Sequence, residues 1–352
     1  MTSAAIRPER VRPLNSRKTN GRPFVVYWMQ AAQRARTNHA LEYAASAANG
    51  LGKPLVVLFV LTEDYPEANE RHYAFMLEGL KETQERLRRR GIPMVVRKGT
   101  PDREVVAFGR AACLVVVDDG YVRHERRWRE SAAAALDCPL VEVATNVIVP
   151  VETASPKEEY AAATLRPKIL RLLDRFMTPL RETPLRVKPV EPDVESWDVS
   201  DTDVALARLG LDRTVRRLRS IRGGTAEAEK RLRAFITRKL AAYAEARNDP
   251  VVDGLSGLSP YLHFGQISPL AVALAVKKGP AYGQAPFLEE LIIRRELSFN
   301  FVRYNRAYDR FDGLPEWCRT TLLEHADDRR PYLYSRAELE RGATHDPYWN
   351  AA

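Results

Sequence analysis

From Phe24 to Val143 the chain alternates two kinds of stretch: short, mostly apolar runs, and longer runs with apolar residues every three or four positions. The short runs, with little alternation, are Phe24-Val-Val-Tyr-Trp28, Pro54-Leu-Val-Val-Leu-Phe-Val60, Pro93-Met-Val-Val-Arg97, Cys113-Leu-Val-Val-Val-Asp118 and Pro139-Leu-Val-Glu-Val143. Each reads as a strand buried on both faces, since a half-exposed strand would alternate apolar with polar. Helices are expected between them, over Thr37 to Asn49 ending at Gly50, Asn69 to Arg90, Pro101 to Ala112 and Glu125 to Ala135. In the second of these Tyr73, Met76, Leu77, Leu80 and Leu87 share a face, and Gly91 marks the stop. Strands alternating with helices predict a parallel sheet with right-handed crossovers, a doubly wound α/β domain.

The pattern changes after a helix at Arg166 to Met177. Thr178 to Pro192 carries four prolines among charged residues and reads as a linker. From Trp197 the β-branched runs vanish. Thr225 is placed to cap a helix whose Leu232, Phe235, Ile236, Leu240 and Tyr243 line one face. Ser259-Pro260 and Ser268-Pro269 are two helix starts separated by Gly265, with Ser as N-cap and Pro at the first helical position. Two helix N-termini behind small hydroxyl residues suit an anion such as a cofactor phosphate; an ordinary serine-rich helix–turn–helix is the plainer alternative. Phe287 to Tyr304 reads as one helix, with Glu290 and Arg294 spaced for a surface ion pair or, alternatively, with Glu290 lining a cleft. The organisation expected is a basic arm over 1–20, an α/β domain over 21–177, a linker over 178–196 and an all-α domain over 197–352.

Composition narrows the classes. With 352 residues and 45% apolar content a large core is affordable, and no apolar run is long enough to suggest a membrane span. The Arg-rich start lacks the apolar stretch of a secretory signal. Cys113, Cys138 and Cys318 share no metal-type spacing and read as reduced thiols, which points to the cytoplasm. A net charge of +9 admits a polyanionic partner, nucleic acid first, with Arg216, Arg217, Arg219 and Arg222 as a basic cluster. The first half has neither GxGxxG nor GxxxxGK[ST], which disfavours an ordinary dinucleotide-binding dehydrogenase or a P-loop NTPase. Asp118-Asp119-Gly120 at a strand's carboxyl end is either a ligand position or, preferably, a strand-end turn. The aromatic-rich tail suits a core or the stacking of flat π-systems.

Several long motifs then occur in order. They are Tyr27-Trp-Met-Gln30, Asn38-His-Ala-Leu-Glu-Tyr43, Tyr65-Pro-Glu-Ala-Asn69, Arg71-His-Tyr-Ala-Phe-Met-Leu-Glu-Gly-Leu80 and Val149-Pro-Val-Glu-Thr-Ala-Ser155. Arg247-Asn-Asp-Pro250, Leu258-Ser-Pro-Tyr-Leu-His-Phe-Gly-Gln-Ile-Ser268, Phe287-Leu-Glu-Glu-Leu291 and Thr344-His-Asp-Pro-Tyr-Trp-Asn350 follow. Together they resemble the class II cyclobutane pyrimidine dimer photolyases, from about Val11 to the last residue. The resemblance implies an N-terminal α/β domain, sometimes holding a deazaflavin-type antenna, and a C-terminal helical domain holding FAD. It implies a DNA partner whose pyrimidine dimer is flipped into a pocket beside the flavin, and splitting of the dimer by an electron from photoexcited, reduced FAD.

By motif, Tyr243, Leu255, Ser256, Gly257, Leu258 and Ser259 match flavin-binding positions, with Gln266 just beyond. Arg247 matches a DNA-contacting position, and Glu290, rather than Glu289, the glutamate that hydrogen-bonds the dimer's base carbonyls. Arg294 stands where some relatives carry a Trp against the lesion, and Trp349 matches a member of the tryptophan chain that photoreduces the flavin. The family continues past Asn350-Ala-Ala352 through a Gly-Lys-Met-His-type motif, so the helical domain is expected to be incomplete at its C-terminus. A monomer is expected. The competing expectations are a cryptochrome-like flavoprotein light sensor without repair activity, and an inactive truncated relative that only binds DNA.

Overall fold

The computed structural model describes residues 6–351. They fall into two compact units, divided between Tyr304 and Asn305.

The first unit opens with a six-stranded sheet. Its strands are β1 (Val11–Pro13), β2 (Phe24–Met29), β3 (Leu55–Leu61), β4 (Met94–Lys98), β5 (Ala112–Asp118) and β6 (Leu140–Val143), in the order β1-β6-β5-β2-β3-β4. β2 to β6 pair in parallel, and β3 and β5 are buried along their whole length, as their apolar runs require. Around them lie α1 (His39–Leu51), α2 (Glu70–Arg89), α3 (Pro101–Gly109) and α4 (Arg123–Ala135). Alternate side chains of each strand feed two cores. Val25, Tyr27, Val57 and Phe59 join residues of α1 and α2, while Val26, Trp28, Val56 and Leu58 join Val105 of α3 and Ala132 of α4. This is the doubly wound α/β arrangement expected.

Several boundaries differ from those read in the sequence. Residues 11–13 are not part of a free arm: β1 pairs antiparallel with β6, and Arg12 meets Glu142 at 2.5 Å. Residues 1–5 of that expected arm lie outside the described residues. α1 runs through Gly50 and stops at Gly52, whose φ of +64° lets it close the last turn. The segment 178–196 has no helix or strand, as expected of a linker, yet its ends are fastened. Thr183 N–H donates to Glu42 at 2.5 Å, Val96 N–H to Ser196 Oγ at 3.0 Å and Trp197 N–H to the Val96 carbonyl at 2.7 Å.

Past the sheet come α5 (Val151–Ala154), α6 (Ala162–Phe176) and α7 (Thr202–Ala207). Val199, Ala205, Leu206 and Leu209, placed by sequence in the all-α domain, are buried in the core against α2. Then follow α8 (Thr225–Arg238), α9 (Tyr243–Ala246), α10 (Ser259–His263), α11 (Pro269–Val276) and α12 (Ala281–Leu288). A π-helical segment over Glu289–Arg294 leads into α13 (Arg295–Tyr304). The single helix expected from Phe287 is therefore interrupted by a widened turn. A third apolar core unites Phe235, Tyr243, Leu258, Tyr261, Val272, Phe287 and Leu291 with Ile169 and Phe176 of α6.

The second unit consists of α14 (Glu316–Glu324), α15 (Arg336–Glu340) and α16 (Pro347–Ala351), none of which buries a residue. Its order comes from local bonds: Ser335 and Glu338 make a capping box, and Tyr332 stacks on His345 with ring centroids 3.8 Å apart. Among the described residues no helix is long and apolar enough to cross a membrane, and no His, Cys, Asp or Glu group is arranged to hold a metal.

Candidate functional site

The stretch Leu255–Ser268 divides into two parts with different tasks. Its second part fastens the helical layer to the α/β layer. Gly265 has φ +64°, and a Cβ there would lie 1.9 Å from the Ala31 carbonyl oxygen, so only glycine admits this approach. Arg34, fully buried, donates to the Gly265 carbonyl at 2.9 Å and to Asn146 Oδ1 at 2.8 Å. Burial pulls the Arg34 guanidinium down to about 10. Gln266, expected near the flavin, is committed elsewhere. Its side-chain oxygen accepts from Gly224 N–H at 2.6 Å, its amide nitrogen donates to the Phe75 carbonyl at 3.1 Å, and it has no exposed surface. Thr225 donates its hydroxyl to the Gln266 carbonyl at 2.8 Å instead of capping α8, whose N-cap is Gly224.

The first part keeps its polar groups near the surface. Gly257 has φ +64°, and a Cβ there would face Arg231 Nη1 at 3.5 Å. Lys239 holds the Leu255 carbonyl at 3.3 Å and Asp253 at 2.6 Å. Ser256 Oγ accepts from Leu258 N–H at 3.3 Å, while Leu258 itself is buried in the helical core. Ser259 makes no cap: α10 is only five residues long, its N-cap is Leu258, and no side chain bonds its first turn. Two cations border this loop, each already paired with a carboxylate, Arg231 with Glu227 at 3.2 Å and Lys239 with Asp253; the Ser256 and Ser259 hydroxyls and the left-handed backbone at Gly257 are the groups of Leu255 to Ser259 suited to a phosphate-bearing cofactor. Arg231 and Lys239 were not singled out in the sequence, because a cation on an amphipathic helix carries no local mark of the loop it will face.

A second cluster gathers on α9, α12 and the π segment. Tyr243 packs edge-on against Phe287 (centroids 5.3 Å) and Phe235 (5.6 Å). The Arg247 guanidinium lies 5.9 Å from the Tyr243 ring and donates to Glu290 at 2.5 Å. That bond raises the Arg247 guanidinium further, so it stays charged. Glu290 therefore pairs with Arg247 and not with Arg294, as the spacing of four had suggested. Arg294 approaches Glu289 at 3.5 Å, and Glu289 is held by Arg166 through two bonds of 2.7 and 3.1 Å. The Arg166 bond holds the Glu289 carboxyl below its usual range. The π turn takes more residues per turn than an α turn, which breaks the alignment of positions four apart. Consecutive carboxylates thus face different arginines. Arg166 was missed because its partner lies on a different element, invisible to periodicity.

The carboxyl end of the sheet is self-contained. The Asp118 carboxylate accepts from the N–H groups of Gln30, Ala31 and Ala32 at 2.9 to 3.1 Å and from the Tyr27 hydroxyl at 3.0 Å. Arg129 fills the space over Gly120, where a Cβ would lie 2.2 Å from its Nη1. Burial pushes Asp119 up to about 6 while it accepts from Tyr121 and Thr145. Asp118 ends β5, Asp119 and Gly120 continue without a regular turn, and both carboxylates are spent on bonds within the protein, which accords with the structural rather than the ligand reading of this stretch. Elsewhere in this unit a cavity of about 380 Å³ is lined by Arg71, His72, Phe75, Arg217, Ser259 and His263, among others.

Trp349 belongs to the second unit. It lies on α16 and donates its indole N–H to the Leu339 carbonyl at 3.0 Å. It is half exposed.

The model of the DNA photolyase family matches residues 25–186. The chain is 49% identical to a deoxyribodipyrimidine photo-lyase of Methanothermobacter thermautotrophicus, over 99% of this chain and 77% of the relative. It is 39% identical to a deoxyribodipyrimidine photo-lyase of Potorous tridactylus, over 93% of this chain and 62% of that relative. Its fold superposes on a Synechocystis cryptochrome with a TM-score of 0.72 at 15% identity, covering 94% of this chain and 70% of the other. At that identity the likeness speaks for the fold alone.

Proposed function

The chain belongs to the DNA photolyase family, and on that footing we propose that it is a light-dependent DNA-repair lyase that splits cyclobutane pyrimidine dimers. The observation that carries this reading is the 49% identity to a curated deoxyribodipyrimidine photo-lyase across 99% of the chain. The class II assignment rests on the motifs alone. In this reading FAD is the cofactor, dimer-bearing DNA the partner, the chain a monomer and its place the cytoplasm.

Within it, Gly257, Ser256 and Ser259 take the cofactor's phosphates, with Arg231 and Lys239 beside them; Leu255 and Leu258 shape the backbone, and Tyr243 walls the pocket. Gln266 spends its side-chain amide on Gly224 and Phe75 and braces the fold beside this site. Bound and reduced, FAD supplies one electron under light and takes it back once the two cyclobutane C–C bonds have broken, so no external oxidant or reductant is consumed. Arg247 and Arg294 meet backbone phosphates, and Glu290 receives the flipped dimer. As an ionised acceptor Glu290 takes the imide N–H of a pyrimidine; a base carbonyl becomes its partner only through a proton on the carboxyl. Trp349 serves the electron path to the flavin. In this reading the α/β domain is the place for a deazaflavin-type antenna chromophore.

The first test is the visible absorption spectrum of the purified chain with released flavin quantified. Near-stoichiometric FAD is expected. A colourless protein that stays colourless after FAD is added contradicts the assignment. A yellow protein that leaves dimers intact under blue light is the cryptochrome-like sensor instead.

A further inference from the structure

Glu289 and Glu290 are adjacent, yet their surroundings differ. Glu289 is gripped by Arg166 through two bonds and approached by Arg294. Glu290 makes one bond, to Arg247 at 2.5 Å, and both side chains of that pair remain partly exposed, 40% and 29%. Arg247 closes the short helix α9 just before the exposed segment 248–253, and its Nε–H has no partner. It is thus a cation on a loop margin, tied to a single carboxylate. In the photolyase reading these two residues meet opposite parts of one ligand, Arg247 the DNA backbone and Glu290 the lesion.

We propose that Glu290 is an electrostatic gate on Arg247, making the phosphate contact conditional on a flipped dimer. This rests on the photolyase reading above. In the free chain the carboxylate occupies the guanidinium. Moving Arg247 to a phosphate strips Glu290 of its partner, and for a half-exposed pair that exchange disfavours the phosphate contact by about two- to fivefold unless a bound donor replaces the guanidinium. A flipped pyrimidine dimer brings that donor, so both contacts form together. An intact duplex keeps its bases stacked and offers none, so Arg247 stays with Glu290 and the phosphate contact is withheld. The pair then suppresses non-specific binding by a protein whose net charge of +9 would otherwise favour it. Glu289 cannot substitute, because its arginines already hold it.

The test is binding in the dark of an intact duplex and of one carrying a cyclobutane dimer, across a salt series. It compares the wild type with Glu290→Gln, Arg247→Gln and the double variant, and melting temperatures confirm that all are folded. Glu290→Gln is expected to bind the intact duplex about two- to fivefold more tightly, the size a half-exposed ion pair supports. Its slope of log affinity against log salt should steepen by about one, as for one added phosphate contact. Both effects should disappear in the Arg247→Gln background. No tightening in Glu290→Gln, or equal tightening in the double variant relative to Arg247→Gln, overturns the gate. The underlying reading fails separately: Arg247→Gln would then leave both duplexes bound as tightly as by the wild type.

Discussion

Two groups of charged side chains in the first unit are built in opposite ways. In the buried junction between the sheet and the helical layer, charges are held by the backbone. Arg10 donates to the carbonyls of Ala144, Val147 and Ile148, Asp118 accepts from three consecutive N–H groups, and Glu296 accepts from Ile148 and Val149. At the helical surface, charges are held by other side chains: Arg247 by Glu290, and Arg166 and Arg294 by Glu289. A backbone partner cannot swing away, so the first group fixes architecture. A side-chain partner on a half-exposed surface can be exchanged, so the second group is free to meet a ligand. The motifs of the sequence populate both groups, and burial tells them apart.

The largest effect should come from breaking the buried group. Asp118→Ala leaves the N–H groups of Gln30, Ala31 and Ala32 without their acceptor and is expected to cost about 3 to 5 kcal/mol of stability, measured by denaturant unfolding. A loss under 1 kcal/mol would place Asp118 outside the frame of the fold. Gly265→Ala should follow, at about 2 to 4 kcal/mol, since it adds left-handed strain to a direct overlap with the Ala31 carbonyl. Its melting temperature should fall well below that of Gly257→Ala, where the nearest atom is the end of a long Arg231 side chain.

Next comes a pH effect. Burial pushes Glu296 up to about 7, against the opposing pull of the N–H groups of Ile148 and Val149 and of Arg295 and Arg10. Its folded value lies above its unfolded one, so the native state binds the proton more tightly. The stability this gives is complete below about pH 4.5 and is lost as pH rises toward 7. The loss is at most on the order of 3 kcal/mol. Wild type should therefore lose stability from pH 5 to 7 relative to Glu296→Gln; parallel curves for the two proteins would refute the assignment. The smallest effect belongs to the surface group. Arg166→Ala should change stability by under about 1 kcal/mol while weakening dimer-bearing DNA several-fold, because Arg294 is then left as the sole ionic partner of Glu289 and is drawn more closely to it. Unchanged binding of that DNA would make the pair ornamental.

The sheet was legible because strands buried on both faces leave apolar runs with little alternation: β2 and β3 are apolar throughout, while β4 ends in Arg97-Lys98, β5 in Asp118 and β6 carries Glu142. β1 was not: three residues containing an Arg and a Pro carry no period, and only the partner β6 makes them a strand. The helices were legible by periodicity, the π segment was not, and with it went the partners of Glu289 and Glu290. The serine caps show the limit of local chemistry. Ser268 does cap α11, accepting from Ala271 N–H at 3.5 Å, whereas Ser259 and Thr225 occupy the same kind of position without capping. Tertiary contact decided those cases, as it did for Gln266, whose motif pointed to the flavin and whose amide is consumed by Gly224 and Phe75.

The most direct test of the photolyase account is light-driven repair of a defined pyrimidine dimer by Glu290→Ala, with flavin content measured on the same sample. The account predicts that repair yield falls strongly while flavin per chain stays at the wild-type level, because Glu290 meets the lesion and not the cofactor. A repair yield equal to wild type at equal flavin content would contradict it.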